Sequence, residues 1–383
     1  MISKTIKLYD ADAYSTQFEA SVLSVNKCND GYAVVLDKTL FFPEEGGQSC
    51  DKGKIDSVNV TTVSISDGII THVLAQPLEV GKTVHGEIDF SHRYRNMQHH
   101  SGEHIVSGLV NKTFGYNNVG FHLGKTDMTM DYDGKLCDCD IQVIEQAANQ
   151  AIYKNIKIIA EYRDSDTLAS TEYRSKLDLK EDVRIVTIGN YDSCACCAPH
   201  VATTGEIGII KIVDFYSYKG GTRLHAMCGA DALADYNKKQ AVTYELMSLL
   251  STKAENLSES VKNLQQLNVK ISAMTKKYCQ AVVDNVEQAD GGYLHFDENI
   301  SSGGLRMIAN GLAAKRKWCA VFEKSGKDSF SFIIASEKVN AKELLSKLSA
   351  SSGARGGGTD KMVQGSVNAS KEEIENVLLF HIV

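Results

Sequence analysis

Ser91-His92-Arg93-Tyr94-Arg95-Asn96-Met97-Gln98-His99-His100-Ser101-Gly102-Glu103-His104-Ile105-Val106-Ser107-Gly108-Leu109-Val110 marks the point where the periodicity of the chain changes. Ser91 is suited to cap a helix, and Met97, Ile105, Leu109 and Val110 recur at roughly helical spacing, so a helix is predicted from Ser91 onward. On a helix, His100 and His104 emerge from one face a turn apart and can chelate one metal ion. His99 diverges from His104 by more than a quarter turn and is expected to point elsewhere.

Before this stretch the sequence reads as β structure. Tyr32 to Leu36 is a short apolar run, and Val63, Ile65, Asp67-Gly68 and Ile69 to Val73 read as a hairpin around a type I′ turn. Between them Phe41-Phe42-Pro43-Glu44-Glu45-Gly46-Gly47-Gln48 is too rich in breakers for regular structure. It reads as an ordered loop, with a second turn signal at Asp51-Lys52-Gly53. A small β-barrel is expected over 1–90.

After it, a helix from Ile141 to Lys154, strands at Val183 to Ile188, Glu206 to Val213 and Arg223 to Met227, and a turn at Thr204-Gly205 predict an α+β domain over 91–230. Glycine is then absent until Gly291. Leu250, Leu257, Leu264, Ile271 and Tyr278 stand seven apart, with Leu267, Met274 and Ala281 on the adjacent seam. This predicts a helical connector over 231–289, either packed on its own domain or dimerising as a coiled coil. Strands at Cys319 to Phe322 and Phe330 to Ala335, a helix from Ala341 to Ser349 and the glycine-rich Gly353 to Gly358 form an expected α/β domain over 290–383. The expected fold class is therefore α+β, with four parts in that order.

Of the 383 residues, 43% are hydrophobic and 23% charged, which excludes wholesale disorder. No apolar run approaches the ~20 residues of a membrane span, and the N-terminus lacks the apolar core of a signal peptide, so the expected location is the cytoplasm with no membrane contact. The formal net charge of −7 argues against a general nucleic-acid coat, so any RNA contact is expected to be local. Ten cysteines in a reducing compartment, with Cys194, Cys196 and Cys197 together, suggest a metal more than disulfides. Cys28, Cys50, Cys228, Cys279 and Cys319 read as isolated, buried thiols.

Cys196-Cys197-Ala198-Pro199-His200 offers a thiolate and an imidazole on a turn. With His100 and His104 it completes the N and S set that tetrahedral zinc prefers, one Zn2+ per chain. Cys194 or Cys197 can compete with Cys196 for the thiolate position. Cys137-Asp138-Cys139 reads as two cysteines on an exposed turn. His100 to His104 also match the inverted His-x-x-Glu-His pattern of a zinc metallopeptidase. Against that rival, the Cys-His pair fills the place a peptidase would keep for a carboxylate and water.

These motifs, in this order, resemble the alanyl-tRNA editing proteins of the AlaX family. The matching elements are Phe42-Pro43-Glu44-Glu45-Gly46-Gly47-Gln48 with Asp51 and Gly53, then Arg93 and Met97-Gln98 ahead of His100 and His104. Cys196 and His200 follow, running into Val201 and Thr204 to Gly208, and then Lys219-Gly220-Gly221-Thr222-Arg223. Gly303-Gly304-Leu305-Arg306 and Gly353-Ala354-Arg355-Gly356-Gly357-Gly358 with Met362, Gln364 and Gly365 are similar to the C-terminal domain of alanyl-tRNA synthetase, which implies the long form. The family has Cys-Gly-Gly-Thr-His where this chain has Cys-Cys-Ala-Pro-His, so a stiffer, more crowded turn is expected here.

The resemblance implies trans-editing of tRNA(Ala) carrying serine or glycine, mistakes that a pocket built for alanine rejects poorly. Serine is the expected first target. Gln48 is a candidate for hydrogen bonding in the substrate pocket, with turn stabilisation as its alternative, and Glu103 is a candidate general base. His122 and Thr129 are candidate partners for the serine hydroxyl, with core or turn roles as their alternatives. Arg306, Lys315, Arg316, Lys317 and Arg355 are candidate phosphate contacts, with a solvated charge run as the alternative for the lysines, and a homodimer through the connector or C-terminal domain is expected. A non-catalytic RNA-binding module with a closed structural zinc is the alternative to an enzyme.

Overall fold

Alternation of buried and exposed residues governs the first strands. Phe18, Ala20 and Val22 turn inward from the strand Gln17–Cys28 while their neighbours face out. With Gly31–Leu36, Gly53–Ile55, Val58–Ser66, Ile69–Leu74 and Thr83–Ile88 it forms an antiparallel sheet that closes on itself. At Asp67 and Gly68, φ values of 52° and 76° build the expected type I′ turn and pair Ser66 with Ile69. The neighbouring reversal falls at Asp56-Ser57, with φ of 46° and 69°, beyond the turn signal at Asp51-Lys52-Gly53. The structure, a computed structural model, describes residues 3–164, 167–168, 172–175, 183–298 and 300–379. Its contacts divide into two units, Met1–Val242 and Thr243–Val383. The barrel and the α+β layers share the first.

The helix predicted from Ser91 runs Phe90–Phe114, and Asp89 is its N-cap, with its carboxylate accepting from His92 N at 3.2 Å. Asp89 takes that place because the helix begins one residue before Ser91. Gly115, at φ 73°, ends it in the left-handed conformation. This helix and a second, Asp138–Tyr153, share a core with the antiparallel sheet ordered Ile210–Tyr218, Gly221–Cys228, Met128–Tyr132, Asn118–Leu123. A smaller sheet joins Ile158–Arg163, Val183–Ile188 and Asp192–Ala195.

The strand expected over Glu206 to Val213 begins only at Ile210. Thr204–Ile207 is a 3-10 turn, because the Glu206 carboxylate reaches back to accept from Thr203 N at 3.1 Å. Cys137 and Cys139, expected on an exposed turn, are exposed and bonded to each other beside the start of helix Asp138–Tyr153. Cys28 and Cys50 are half-buried, whereas Cys228, Cys279 and Cys319 are buried.

The connector is interrupted. Helices Gly229–Leu249 and Leu257–Asp284 are separated by Ser251 at φ 47° and a 3-10 turn at Ala254–Asn256, so Leu250 lies outside both helices. Beyond it, Ala289–Asp297, Arg316–Gly326, Ser329–Ala335, Met362–Val367 and Arg355–Gly358 form a five-stranded sheet in that spatial order, and the first pair is parallel. Both faces of this sheet are buried, which period two makes visible. Trp318, Ala320 and Phe322 pack with helices Ala341–Ser352 and Lys371–Leu379, while Cys319 and Val321 pack with Ser302–Ala313 and the end of Leu257–Asp284. Among the described residues no helix is long and apolar enough to cross a membrane.

The barrel's loop is tied to the long helix by one buried ion pair, Arg93 with Asp51, both fully buried. Arg93 Nε lies 3.1 Å from each Asp51 oxygen, Nη1 donates to Ala13 O at 3.0 Å, and Nη2 donates to Leu40 O at 2.6 Å. Asp51 also accepts from Phe42 N at 2.6 Å. Removing one partner of such a pair leaves a buried charge alone. Arg93→Ala is therefore expected to destabilise the protein by about 3–5 kcal/mol in urea unfolding; a loss below ~1 kcal/mol would contradict this reading.

Candidate metal centre

Helical spacing puts the His100 and His104 rings 5.6 Å apart on one face of helix Phe90–Phe114. Strand Asp192–Ala195 delivers Cys196 directly after its last residue, and the turn that follows brings His200 back to the same point. One ligand atom from each of His100, His104, Cys196 and His200 lies within 4.8 Å of all the others. Cys196 Sγ is 3.4 Å from both His100 Nε2 and His200 Nε2.

The second ring nitrogen of each histidine is held from behind. His100 Nδ1 lies 2.9 Å from Gln48 Oε1, His104 Nδ1 2.8 Å from Asp192 Oδ2, and His200 Nδ1 3.0 Å from Ser101 Oγ. With Nδ1–H donating to these oxygens, every Nε2 lone pair faces the centre. This is the tautomer and orientation a metal-ligating imidazole needs. Asp192 is in turn anchored by Arg174, whose Nε and Nη2 donate at 2.7 and 2.9 Å. Burial works against ionising this carboxylate, but His104 and Arg174 outweigh it and hold its pKa below the usual range.

Of the three neighbouring thiols, Cys196 is the one grouped with His100, His104 and His200. Burial opposes ionisation of Cys196, yet the facing His100 and His200 hold its pKa well below that of an ordinary thiol, and Ala198 N lies 3.4 Å from its sulfur. Burial instead pushes Cys194 up to about 11 and raises Cys197, which also meets the charge of Glu45. Three imidazoles and one thiolate, sharing one buried point, fit zinc.

Close approach makes the constellation possible. A Cβ on Gly108 would lie 2.3 Å from Tyr191 O, so glycine lets the chain leading to Asp192 reach the helix. A Cβ on Gly47, at φ 78°, would lie 2.3 Å from Phe121 O, so the glycine-rich loop can lie against strand Asn118–Leu123. In the Cys196-Cys197-Ala198-Pro199-His200 turn, Arg184 Nη1 donates to Cys196 O at 3.1 Å and Ala198 O at 2.8 Å.

His100, His104 and Cys196 open onto a cavity of about 780 Å³, lined also by Glu45, Glu103, Asn118 and Phe121. Glu103 Oε1 accepts from Ser107 Oγ and from Asn118 Nδ2, each at 2.6 Å, and Ser107 Oγ is backed by Tyr132 Oη at 2.9 Å. Its other oxygen lies 3.9 Å from His104 Nε2, on the ligand side. Ser101, Ser107, Asn118, Arg174 and Asp192 escaped the sequence reading. The helical glycine at 108 was the one signal that something must pack closely there.

Other expected residues lie elsewhere. Gln48 is buried behind His100 and does not line the cavity, so it orients the ring. His122 and Thr129 do not line it either, since Phe121 faces the site and strand alternation turns its neighbour His122 the other way, paired with Thr129. His99 points away, with its ring nitrogens engaged by Arg95 O and Cys228 N. Lys315 caps the end of helix Leu257–Asp284, donating to Val283 O at 2.7 Å and Val286 O at 3.1 Å, which engages the ammonium expected to meet phosphate. Arg316 lies over the Tyr293 ring at 5.3 Å. Arg306 is exposed and donates to Gln364 Oε1 at 2.9 Å, while Lys317 and Arg355 are exposed.

Asp192→Asn keeps the shape but removes the charge behind His104. It is expected to weaken zinc affinity about 10- to 100-fold in a chelator competition; unchanged affinity would remove Asp192 from the site. Affinity is also expected to fall as pH falls, because protons compete for the imidazoles and for Cys196. The lowered Cys196 pKa places the thiol's share of that loss below the range of an ordinary thiol.

Comparison with known proteins follows the same geography. The model of the threonyl and alanyl tRNA synthetase second additional domain matches residues 183–225, and that of the class II (A) tRNA synthetases matches residues 5–92. Alanyl-tRNA editing protein AlaX-L of Pyrococcus horikoshii is 27% identical over 97% of this chain and 97% of its own length. Alanyl-tRNA editing protein Aarsd1 of Rattus norvegicus is 29% identical over 67% of each. An alanine–tRNA ligase of Ignicoccus hospitalis is 30% identical over 74% of this chain, which spans only 33% of that protein. Its similarity to AlaX-L runs nearly end to end, so the chain resembles the alanyl-tRNA editing proteins over almost its whole length.

Proposed function

We propose that this chain is a hydrolase that removes the wrong amino acid from mischarged tRNA(Ala) in trans, serine first and glycine second. Its Zn2+ would be held by His100, His104, Cys196 and His200. The observation that carries the reading is the convergence of three oriented Nε2 atoms and one thiolate on a single point, with His100, His104 and Cys196 opening onto the cavity. AlaX-L similarity over 97% of the chain supports it.

A bound zinc would polarise the ester carbonyl or fix the aminoacyl end of the tRNA. Ser107 and Asn118 already hold Glu103 Oε1, which leaves Oε2 to accept a proton from the attacking water and return it to the departing ribose oxygen. Gln48, Ser101 and Asp192 keep the imidazoles from turning. Exposed Arg306, Lys317 and Arg355, with Arg316, contact phosphates of the same tRNA in the cytoplasm. The helix Leu257–Asp284 presents Leu264, Leu267, Ile271 and Met274 at 47–69% exposure, a seam suited to a second copy of the chain.

Metal-loaded protein is expected to release serine from tRNA(Ala) far faster than alanine, and His100→Ala to abolish that release. Release that persists in metal-free His100→Ala, His104→Ala protein would overturn zinc-dependent editing. Folded, metal-loaded protein that releases nothing would instead favour the RNA-binding module. Glu103→Gln is expected to lower kcat by about 10²- to 10⁴-fold with metal retained; an unchanged kcat would take the proton-transfer role from Glu103. For self-association, Ile271→Asp is expected to shift a dimer to monomer in sedimentation, and an unaltered dimer would place the interface elsewhere.

A further inference from the structure

We propose that Glu45 receives the α-ammonium group of the aminoacyl ester, so that the site accepts free aminoacyl-tRNA and rejects esters whose amine is blocked; this rests on the hydrolase reading above. Glu45 lines the same cavity as His100, Glu103 and Cys196. Its backbone is fixed by a tight turn, with Glu45 N to Gln48 O at 3.2 Å and Gln48 N to Glu45 O at 3.1 Å, around Gly46 at φ 62° and Gly47 at φ 78°. Leu123 N donates to Gly47 O at 2.8 Å and stitches the tip of that turn to the strand carrying Phe121. The carboxylate is thus held on a rigid support beside the ligands.

Glu45 Oε2 is buried and has no hydrogen-bond partner among the described residues. A carboxylate oxygen withdrawn from water and left without a donor is unfavourable unless something completes it. Among the described residues no cation of the cavity does so, and the Cys197 thiol that meets the Glu45 carboxylate is only a weak, neutral donor. Arg174 is engaged by Asp192, Arg184 by the carbonyls of Cys196 and Ala198, and Lys7, which also lines the cavity, makes no hydrogen bond to this oxygen. The other cavity carboxylate, Glu103, already has donors from Ser107 and Asn118. An aminoacyl ester brings one cationic group, its α-ammonium, with three N–H donors. Acylating that nitrogen removes the charge and leaves a single N–H.

The test compares seryl-tRNA(Ala) with N-acetylseryl-tRNA(Ala), using full-length zinc-loaded wild type, Glu45→Gln and Glu45→Asp, with zinc content measured in each. Wild type is expected to prefer the free amine. Glu45→Gln should lose about 10- to 100-fold in kcat/KM on that ester, mainly through KM, and little on the acetylated one. Glu45→Asp, which keeps the charge, should recover part of the loss, an effect that a merely structural role would not produce. If Glu45→Gln cleaves the free-amine ester as wild type does, or loses both esters equally, the proposal is overturned while the hydrolase reading stands. If wild type cleaves neither, that reading fails and the proposal falls with it.

Discussion

The buried pairing of Arg93 with Asp51 is the constraint on which the site depends. Arg93 belongs to the first turn of the long helix and Asp51 to the segment that follows the glycine-rich loop, so the pair fixes the barrel against the helix two turns before His100. The guanidinium also donates to carbonyls at Ala13 and Leu40, and Asp51 also accepts from Phe42 N. A planar group with five donors suits this task because it meets a carboxylate and two separate carbonyls at once. Gln48 reaches His100 from the loop that this arrangement pins.

Around the ligands, position is secured by oxygen atoms of different character: an amide behind His100, a hydroxyl behind His200 and a carboxylate behind His104. The carboxylate makes His104 the strongest electron-pair donor of the three rings, while Cys196 carries the negative charge within the set. This mixture keeps three rings oriented without burying three acids. Helix glycines at 102 and 108 serve the same end, since a side chain at either would strike Cys228 or the Tyr191 carbonyl.

Much of this was legible because local patterns matched the tertiary outcome. Helical spacing placed His100 and His104 on one face, and Asp67-Gly68 marked a turn whose positive φ values few other pairs tolerate. Helix starts were harder, since Asp89 and Ser91 are both able caps and only packing decides between them. Asp192 and Asn118 were invisible for another reason: each acts across the fold on a residue 88 or 15 positions away, with no spacing rule to announce it. Lys315 donates to the carbonyls of Val283 and Val286, contacts that its place after a helix does not announce.

The two halves of the ligand set are far apart in the chain, with His100 and Cys196 separated by 96 residues. During synthesis the histidine pair leaves the ribosome long before its thiolate partner exists. Until then, a nascent chain holds only a two-nitrogen claw, with modest hold on any ion. Capture of a metal would become tight only when Cys196 and His200 emerge, and closing a loop of that size would then be coupled to folding of the smaller sheet that delivers them. Metal loading would in this way report that the first two hundred residues have been made and correctly assembled.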